Sequence, residues 1–415
     1  MTVELISVGT ELLLGNIVNT NANYLSQKCA QLGFSLYYQI TVGDNEGRLC
    51  ESIKTALSRS DILILTGGLG PTQDDMTKEA VAKVLNRELI MDEASREHIA
   101  SYFRFRYQKD VSAVITDNNW KQALMIEGSI VVENNNGTAP GYIVEDNGKT
   151  IILMPGPPNE MLPMFEDSIY PYLSKKQNKI FVSSMVKICG VGESKAETDI
   201  LDLIEAQTNP TIAPYAKNAE VHFRVTASAD KEEDAIGLIK PVVDELYKRF
   251  GDNIYSTKEE ETLEEVVVQM LQEKNYTLAT AESCTGGMLT SRLVNVAGVS
   301  NILKEGFITY SNEAKMKYLG VREETIATHG AVSHRCAEEM VWGASKTAKA
   351  QTAIAITGIA GPEGGTEEKP VGLVYIACLV EDKVTLKELR LKGNRLKIRD
   401  QSVIAALDLL RRQLL

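Results

Sequence analysis

The first 66 residues alternate between apolar runs and stretches with helical periodicity. The run at 61–66 is apolar almost throughout rather than alternating, which is typical of a parallel strand buried on both faces. Runs at 3–8 and 34–42 predict two further strands, and the segments between the strands show the apolar spacing of helices. The resulting β-α-β-α-β order indicates a doubly wound α/β sheet.

The pattern beyond this sheet predicts two more domains. Residues 180–250 are predicted to form a strand, a helix at 192–206, two strands and a helix at 231–250, which is enough for a small α+β domain. From residue 262 helices and strands alternate again up to a helix at 395–413, which predicts a further α/β domain. The predicted domains are therefore 1–174, 175–256 and 257–415.

Composition and charge narrow the class of protein. The 415 residues carry 44 Lys and Arg against 56 Asp and Glu, a formal net charge of −12. Because nucleic-acid phosphates need a positive field, this balance argues against nucleic acid as the main partner. The chain starts without the basic segment of a signal peptide, and no apolar run approaches the ~18 residues of a membrane span. We therefore expect a cytoplasmic protein without membrane contact.

Cysteines and the basic C-terminal segment have structural explanations. The six cysteines include no Cys-x-x-Cys pair, and most lie in apolar or helical stretches, which predicts reduced core thiols. Residues 381–415 hold nine Lys and Arg against five Asp and Glu, spread along a helical pattern. We interpret these basic residues as a solvated helix face.

A glycine-rich turn follows the third strand. Its sequence, Gly67-Gly-Leu-Gly-Pro-Thr-Gln-Asp-Asp75, precedes a helix, so its backbone amides can face an anion at the carboxyl end of the sheet. Asp74 and Asp75 are ligands of the kind that a divalent cation needs to bridge protein and pyrophosphate. The structural alternative is a glycine turn with an acidic helix start. The candidate anion ligands are Gly67, Gly68, Gly70 and Thr72.

Two other segments belong to the same domain. Glu11 lies at the end of the first strand and is a candidate for the same crevice, with a solvent-facing glutamate as the alternative. The segment Pro155-Gly-Pro-Pro-Asn-Glu160 has two X-Pro bonds that fix a rigid turn. We interpret this segment as a structural closure of the domain, with Glu160 as a further candidate for the pocket.

Ser283, in Ala-Glu-Ser-Cys-Thr-Gly-Gly287, lies between an apolar strand and a helix. A nucleophile on a strand-to-helix turn has this placement, although the Gly-x-Ser-x-Gly motif is absent. The amides from Thr285 to Gly287 are candidates for an oxyanion hole at the helix N-terminus. A helix-capping serine is the structural alternative. Cys284 is a rival nucleophile, but its side chain is expected to point into the helix–sheet packing.

A serine nucleophile needs a base. Of the four histidines, His329 and His334 lie in the same predicted domain, so a histidine is one candidate. The alternative is a lysine whose pKa is lowered by burial. Lys315 follows the next strand and begins a helix, and Tyr310 on the same segment is a candidate to relay a proton or to orient the lysine.

The segment 357–372 combines several glycines with two prolines at a strand end. Such a loop gives up conformational freedom for little packing. We therefore interpret it as a loop that closes over a substrate, with Gly358 and Gly361 as candidate contacts.

Five motifs, in this order, resemble the CinA family of competence/damage-inducible proteins over essentially the whole chain. They are Gly9-Thr-Glu-Leu-Leu-Leu-Gly15, Gly67-Gly-Leu-Gly-Pro-Thr-Gln-Asp-Asp75, Pro155-Gly-Pro-Pro-Asn-Glu160, Ala281-Glu-Ser-Cys-Thr-Gly-Gly287 and Gly358-Ile-Ala-Gly-Pro-Glu-Gly-Gly365. The resemblance implies an N-terminal molybdopterin-binding (MoaB/MogA-like) domain, a KH-like middle domain and a C-terminal nicotinamide-nucleotide amidase domain.

The resemblance implies two hydrolytic activities. The N-terminal domain is similar to metal-dependent enzymes that cut ADP-ribose to AMP and ribose 5-phosphate, and Asp74 and Asp75 match the acidic pair near metal and pyrophosphate. The C-terminal domain is similar to enzymes that deamidate nicotinamide mononucleotide to the acid form plus ammonia, without a cofactor.

The resemblance also implies a role for each C-terminal candidate. Ser283 matches the nucleophile, Lys315 its general base and Tyr310 a supporting hydroxyl. Gly286 and Gly287 match the position at which a phosphate or an oxyanion is held.

Relatives in the family lead us to expect a homodimer, and association with recombination proteins has been proposed for some of them. Two alternatives stay open at this point. One is a competence-linked adaptor that has lost one or both activities, and the other is a protein that binds a pterin without hydrolysis.

Overall fold

The structure is a computed structural model that describes residues 1–107, 115–177 and 179–415, without the side chains of residues 106 and 107. The chain forms two compact units. The first contains Met1–Phe181 with Ser228–Glu232, and the second contains Val182–Ala227 with Glu233–Leu415.

The first unit is built on a mixed six-stranded sheet in the order β2-β1-β3-β8-β7-β6. β2, β1, β3 and β8 are parallel, whereas β7 and β6 continue the sheet antiparallel. The predicted doubly wound α/β fold is thereby confirmed. Its elements are β1 (Thr2–Val8), α1 (Thr10–Leu13), α2 (Thr20–Gln31), β2 (Ser35–Val42), α3 (Glu46–Arg59), β3 (Ile62–Thr66), α4 (Thr77–Leu85), β4 (Leu89–Met91), α5 (Glu93–Tyr107), α6 (Asp117–Trp120), β5 (Leu124–Ile126), β6 (Ile130–Val132), β7 (Gly141–Asp146), β8 (Lys149–Met154), α7 (Pro158–Met164) and α8 (Tyr170–Ser174).

The apolar run of β3 follows from burial of the sheet on both faces. Leu63 and Leu65 pack into a core shared with α3 and α4, whereas Ile62 and Ile64 pack into a second core shared with α2 and α7. Because successive side chains of a strand point to opposite faces, both sets of positions have to be apolar.

The strand order places a crevice at the carboxyl edge of this sheet. The chain leaves β1 toward β2 on one side, and it returns across β1 to β3 on the other side. In open α/β sheets the ligand crevice lies where the connections diverge in this way. The glycine turn that follows β3 therefore opens at this position.

The middle part of the chain forms a four-stranded sheet in the order β10-β11-β9-β12 with helices. Its elements are β9 (Ile180–Cys189), α9 (Glu193–Thr198), α10 (Leu201–Ala206), β10 (Thr211–Ala216), β11 (Glu220–Ala229), α11 (Glu232–Phe250) and β12 (Ile254–Ser256). The predicted α+β class is confirmed, but the single helix predicted at 192–206 is wrong. The chain leaves helical geometry at Ile200, whose side chain is fully buried in the core.

The C-terminal part is an α/β domain on a five-stranded sheet in the order β14-β13-β15-β16-β17. The first three strands are parallel, and β16 and β17 are antiparallel. The short α15 was not predicted. It buries one side chain, that of Thr325, so its sequence lacks the apolar spacing of a helix. The elements are α12 (Leu263–Lys274), β13 (Leu278–Glu282), α13 (Met288–Val294), β14 (Leu303–Ile308), α14 (Asn312–Leu319), α15 (Glu323–His329), α16 (His334–Ala348), β15 (Thr352–Gly358), β16 (Leu373–Val380), β17 (Lys383–Arg390) and α17 (Arg395–Leu414).

Helices cover both faces of this sheet. α12 and α17 pack on one face, and α16 packs on the other. All six cysteines are buried and free, as predicted. Among the described residues, none of the helices combines the length and the hydrophobicity that a membrane span requires.

Candidate active sites

Three parallel strands of the C-terminal sheet bring their carboxyl ends together. Ser283 directly follows β13, and its amide donates to the carbonyl of Ile356 in β15 at 3.0 Å. Thr309 directly follows β14, and its amide donates to the carbonyl of Glu282 at 2.8 Å. The glycine loop starts at Gly358, the last residue of β15. The candidate nucleophile, the segment of the candidate base and the glycine loop therefore meet at one edge of the sheet.

Lys315 extends from the first turn of α14 to Ser283. Its Nζ lies 2.9 Å from Ser283 Oγ, and it donates to the carbonyl oxygens of Thr309 at 2.8 Å and of Tyr310 at 3.3 Å. Lys315 is only 1% exposed, and burial lowers the pKa of its amine. The structure thus brings the two residues of the expected Ser–Lys pair together.

A neutral amine matches the surroundings of Lys315. An –NH2 group has two N–H donors and one lone pair, and the two backbone carbonyls accept the two protons. The lone pair is then free to accept the Ser283 hydroxyl proton. Burial lowers the pKa of the amine by more than the nearby Glu313 carboxylate raises it, which favours the neutral form.

The histidine alternative does not agree with this geometry. The His334 ring packs on Tyr375 with centroids 4.4 Å apart, and His334 Nε2 lies 3.5 Å from a carboxylate oxygen of Glu388. His329 is exposed at the end of α15. Within the described residues, no contact joins either imidazole to Ser283, so Lys315 is the base that the structure offers.

Cys284 is less suited than its neighbour to act as the nucleophile. Its thiol packs in the apolar core of the domain and is 6% exposed. Burial raises the pKa of this thiol to about 11, so the reactive thiolate is scarce near neutral pH.

The turn after Ser283 is organised by a buried carboxylate. Glu282, which is fully buried, accepts hydrogen bonds from the amides of Gly287 (3.0 Å), Leu289 (3.0 Å) and Thr290 (2.8 Å), and from the Thr290 hydroxyl (2.7 Å). This carboxylate fills the N-terminus of α13, the position at which a bound anion would otherwise sit. Neither the role nor the placement of Glu282 was predicted.

The bonds of this turn change which amides can hold an oxyanion. The amide of Gly286 donates to the Ser283 carbonyl at 3.1 Å, and that of Gly287 is held by Glu282. Both glycines have positive φ, +59° and +91°, so they shape the turn. Of the amides from Ser283 to Met288, those of Cys284 and Thr285 have no hydrogen-bond acceptor among the described residues. These two amides replace the predicted 285–287 set as the available donors.

Tyr310 contributes its backbone rather than its hydroxyl to the Lys315 site. Its side chain is 61% exposed, and its hydroxyl accepts a hydrogen bond from Arg395 Nη2 at 3.1 Å. Its carbonyl is one of the two that receive protons from Lys315. The supporting role of the hydroxyl therefore stays a prediction.

Two arginines of α17 reach the site and were missed in the sequence. Arg395 donates to the carbonyl of Gly361 at 2.7 Å, and Arg399 donates to the carbonyl of Thr285 at 2.6 Å. Arg395 is exposed, as predicted for a solvated face, whereas the prediction is wrong for Arg399, which is half-buried, and for Arg411, which is 2% exposed. The spacing of four residues between Arg395 and Arg399 on a helix, placed after the last strand, is the signal that could have identified them.

Three buried polar atoms around the Ser283 site have no hydrogen-bond partner among the described residues. They are Thr285 Oγ1, Thr309 Oγ1 and Arg399 Nε. Buried polar groups are normally paired, so unpaired donors grouped at one site indicate a polar ligand.

The first unit carries a separate cavity of about 640 Å³ at the carboxyl edge of its sheet. Its lining includes the loops after β1 and β3 and the proline-rich turn before α7. All N-terminal candidate residues lie in this lining, namely Glu11, Gly67, Gly68, Gly70, Thr72, Asp74 and Asp75. The structure therefore brings the N-terminal candidates together at one cavity.

The glycines of the turn after β3 are required by close packing. A Cβ at Gly67, whose φ is +97°, would lie 2.2 Å from the carbonyl oxygen of Val8. A Cβ at Gly68, whose φ is +67°, would lie 2.2 Å from Thr77 Oγ1, which itself donates to the Gly67 carbonyl at 2.7 Å. Glycine at position 67 therefore lets the ends of β1 and β3 approach each other, and glycine at position 68 lets the turn pack against the start of α4.

Carboxylates dominate the charge of this cavity. Its lining holds five acidic side chains and, among the described residues, no lysine, arginine or histidine. Asp75 Oδ2 accepts from the Thr72 amide (2.9 Å) and hydroxyl (2.6 Å), whereas Asp74 is exposed and forms no hydrogen bond or ion pair in the described chain. The five carboxylates belong to Glu11, Asp44, Asp74, Asp75 and Glu160.

These residues fit a metal ion that is shared with a substrate. In the described part of the chain, no three His, Cys, Asp or Glu side chains come close enough to enclose an ion. Mg²⁺ in proteins typically keeps several waters and binds one or two carboxylates together with substrate phosphates. Asp74, with free oxygens, and Asp75, with one oxygen used by Thr72, offer that donor set.

Glu160 is a cavity residue beyond the predicted set of ligands. Asn134 Nδ2 donates to Glu160 Oε2 at 2.7 Å, and burial raises the pKa of this carboxyl group. The absence of a side chain at Gly137 makes room for it, because a Cβ there would lie 2.2 Å from Oε2. One oxygen of Glu160 is thus fixed by Asn134, and the second is left for a ligand or a proton.

Three family models match successive parts of the chain. They are described as a probable molybdopterin binding domain (residues 4–175), the damage-inducible protein CinA KH domain (residues 183–256) and the CinA C-terminal domain (residues 260–414).

Curated relatives match the whole chain. It is 54% identical over 415 residues to a competence-damage inducible protein of Clostridium beijerinckii, covering 100% of both chains. It is 51% identical to a CinA-like protein of Kosmotoga olearia, covering 100% of this chain and 99% of the relative. Among solved structures, the competence/damage inducible protein CihA from Agrobacterium tumefaciens is 42% identical, with a TM-score of 0.35, over 36% of this chain and 91% of that one.

Proposed function

We propose, from the premise that this chain belongs to the CinA family of competence/damage-inducible proteins, that its C-terminal domain hydrolyses the amide of nicotinamide mononucleotide. The products would be the corresponding acid and ammonia. The observation that carries this proposal is the buried Ser283–Lys315 pair, with 2.9 Å between Oγ and Nζ. A serine beside a neutral lysine is a known arrangement for acyl transfer.

The geometry supports a two-step reaction. Neutral Lys315 accepts the Ser283 hydroxyl proton while Oγ attacks the carboxamide carbon, and a tetrahedral oxyanion forms. Lys315 then donates that proton to the departing nitrogen, the C–N bond breaks, and ammonia leaves an ester on Ser283. Water attacks the ester with Lys315 again as base, which releases the acid and restores the hydroxyl.

The oxyanion would be held by backbone donors. The amides of Cys284 and Thr285 directly follow the nucleophile and have no acceptor among the described residues. Preorganised donors of this kind typically contribute about 10²–10³ to the rate. Glu282 fixes the turn that presents them, because it holds the start of α13.

The substrate class is supported by the cations and unpaired donors near Ser283. Arg399 Nε and Thr285 Oγ1 are buried and have no partner among the described residues. Arg395 donates a hydrogen bond to the carbonyl of Gly361 in the glycine loop. Guanidinium groups bind phosphate through paired N–H donors, which suits an anionic nucleotide on a protein of net charge −12.

The experiment for the C-terminal domain is ammonia release from nicotinamide mononucleotide by the full chain. Ser283→Ala should lower the rate at least about 10³-fold without changing the unfolding temperature. Ser291→Ala is the matched control, because this exposed serine lies on α13. Normal ammonia release by Ser283→Ala would refute the nucleophile, and an inactive wild-type chain would refute the substrate.

We further propose that the N-terminal cavity hydrolyses ADP-ribose to AMP and ribose 5-phosphate. A divalent ion bound with the substrate would neutralise the pyrophosphate, and Asp74 and Asp75 would hold it. The chain's own contribution is the glycine turn around the phosphates and the Glu160 carboxylate, whose second oxygen can accept a proton from the attacking water.

A second candidate ligand for this cavity is a pterin nucleotide that is bound without hydrolysis. It is favoured by the match of residues 4–175 to a probable molybdopterin binding domain. AMP formation from ADP-ribose, measured with and without divalent metal, separates the two. Tight pterin binding without AMP formation would replace the hydrolase proposal.

The predicted partners are kept as proposals. A homodimer predicts twice the monomer mass of 45.6 kDa in light scattering. An adaptor role predicts that the chain captures a recombination protein. The Ser283→Ala and Asp74→Asn variants should then bind that protein as well as the wild type does, because binding would need neither activity.

A further inference from the structure

Among the described residues, the middle domain, residues 183–256, supplies no side chain to either candidate site. It carries eight Lys and Arg against thirteen Asp and Glu, so it lacks the positive field that binding to nucleic-acid phosphates requires. Several of its polar contacts are with the C-terminal helix α17, within the same compact unit.

One contact lies beside the Ser283 site. Asn218, in the loop between β10 and β11, donates from Nδ2 to Asp400 Oδ2. The other oxygen of Asp400 accepts from Arg292 Nη1 at 3.0 Å. Arg292 is on α13, the helix that starts at the nucleophile turn. Asp400 thus ties α13, α17 and the middle domain together.

A second set of contacts fixes the other end of α17. Arg411 is 2% exposed, pairs with Asp408 at 2.7 Å and donates to the carbonyls of Ile254 and Asp252 in the middle domain. Arg412 donates to Asn253 Oδ1 at 2.8 Å. A helix that is fixed at both ends has little freedom to slide or to rotate.

The residue before Asp400 contacts the catalytic turn directly. Arg399 donates to the Thr285 carbonyl at 2.6 Å, and a shift at Asp400 therefore moves the group that holds the turn. Misplacement of a catalytic group by about 1 Å can cost about 10²-fold in rate.

We propose that the middle domain aligns the Ser283 site through α17, and that Asn218 is a positioning residue that acts through Asp400 and Arg399. This inference rests on the proposed amide hydrolysis for its kinetic readout. On this proposal the middle domain acts on its own chain and not on a partner. It holds α17 in place, and the turn at 283–287 thereby keeps the amides of Cys284 and Thr285 aligned.

The test is Asn218→Ala in the full chain. We expect kcat for nicotinamide mononucleotide to fall about tenfold while KM changes by less than about twofold, because alignment of the turn matters most in the transition state. In an Arg399→Ala background the same substitution should have no further effect on kcat, since both residues act on one contact. Lys217→Ala is the matched control, because Lys217 is exposed in the same loop and does not touch Asp400.

A second readout does not depend on the reaction. Hydrogen exchange at the amides of Gly286, Gly287 and Leu289 should be at least about threefold faster in Asn218→Ala than in the wild type, and unchanged in Lys217→Ala. If the wild-type chain releases no ammonia, the amidase proposal fails and this exchange alone decides the inference.

Unchanged exchange, or wild-type kcat in an active Asn218→Ala chain, would overturn the inference. If Asn218→Ala unfolds, Asp400→Asn replaces it, because it keeps the shape of the side chain and weakens both bonds. Faster exchange at the turn in that variant supports the inference, and unchanged exchange refutes it.

Discussion

Lys315 Nζ and Ser283 Oγ lie 2.9 Å apart at a sheet edge where the amine also meets two backbone carbonyls. Three oxygen atoms surround the amine, and the two N–H groups and the lone pair of its neutral form can match them. Burial disfavours the ammonium form, so the proposed base is available in its neutral form.

The pH profile of ammonia release should follow Lys315. Burial lowers the pKa of its amine, and only the neutral form can accept the Ser283 proton. We expect kcat/KM to rise with pH and to level off below the ordinary lysine pKa of about 10.4. Initial rates from pH 6 to 10 measure this limb. A profile that is flat across this range would contradict a lysine base.

Lys315 should also make stability depend on pH. Its pKa is lower in the folded than in the unfolded chain, so between the two values the unfolded chain binds more protons and the free energy of unfolding rises with pH. Lys315→Met should therefore stabilise the chain most below that window and least above it. Urea unfolding at several pH values measures the difference. Lys304→Met, at an exposed position of β14, should show no such trend.

Glu282→Gln should weaken the catalytic turn. The substitution places an amide –NH2 among four donors that now share a fully buried carboxylate. The free energy of unfolding should fall by about 1–3 kcal/mol, as is usual when buried donors lose their acceptor. Glu305→Gln, exposed on the neighbouring strand, is the control and should change it by less than about 0.5 kcal/mol. Equal stability of the two variants would contradict the role of Glu282.

Asp74 and Asp75 should respond differently to substitution. Asp74 is exposed and has no partner in the described chain, so Asp74→Asn should raise the Mn²⁺ concentration needed for AMP formation at least about tenfold and leave the unfolding temperature unchanged. Asp75→Ala should also loosen the turn, because Thr72 loses its acceptor. Calorimetric Mn²⁺ titration checks metal affinity directly, with the exposed Glu88→Gln as the control. Metal-independent AMP formation would contradict the carboxylate pair.

Two helical glycines should respond in opposite directions to alanine. A Cβ at Gly343 in α16 would lie 1.8 Å from the carbonyl oxygen of Leu319, so Gly343→Ala should destabilise the chain by at least about 2 kcal/mol. Nothing lies within 4 Å of a Cβ at Gly237 in α11, and Gly237→Ala should stabilise by about 0.5–1 kcal/mol. Thermal unfolding of both variants tests the pair, and stabilisation by both would refute the close contact.

The sequence predicted features set by neighbouring residues, such as strands and turns, and missed contacts between segments that are far apart in the chain. The continuous apolar run of β3 and the glycines after it were sufficient for the fold and for the place of the cavity. Ser283 and Lys315 were identifiable because each follows a strand. Arg399 was missed, although its spacing of four residues from Arg395 is visible in the sequence. Its contact with Thr285, which is 114 positions away, is made only by the packing of α17.

The role of Glu282 was hidden for a different reason. Its position ends a strand, where a charged residue is expected to face solvent, but the strand register turns it toward the start of α13. That carboxylate occupies the amides of Gly287, Leu289 and Thr290, so these amides are not available to hold an oxyanion. A pattern of residue types does not show which donors of a turn are already occupied.

The cation-free lining of the N-terminal cavity bears on how its products would leave. Cleavage of one pyrophosphate bridge yields two phosphomonoesters, each with a charge of about −1.5 to −2 near pH 7. Without a metal ion, both products would face five carboxylates and no basic side chain of the described lining. Electrostatic repulsion would then favour their release, so we expect little inhibition by AMP unless free divalent metal is abundant.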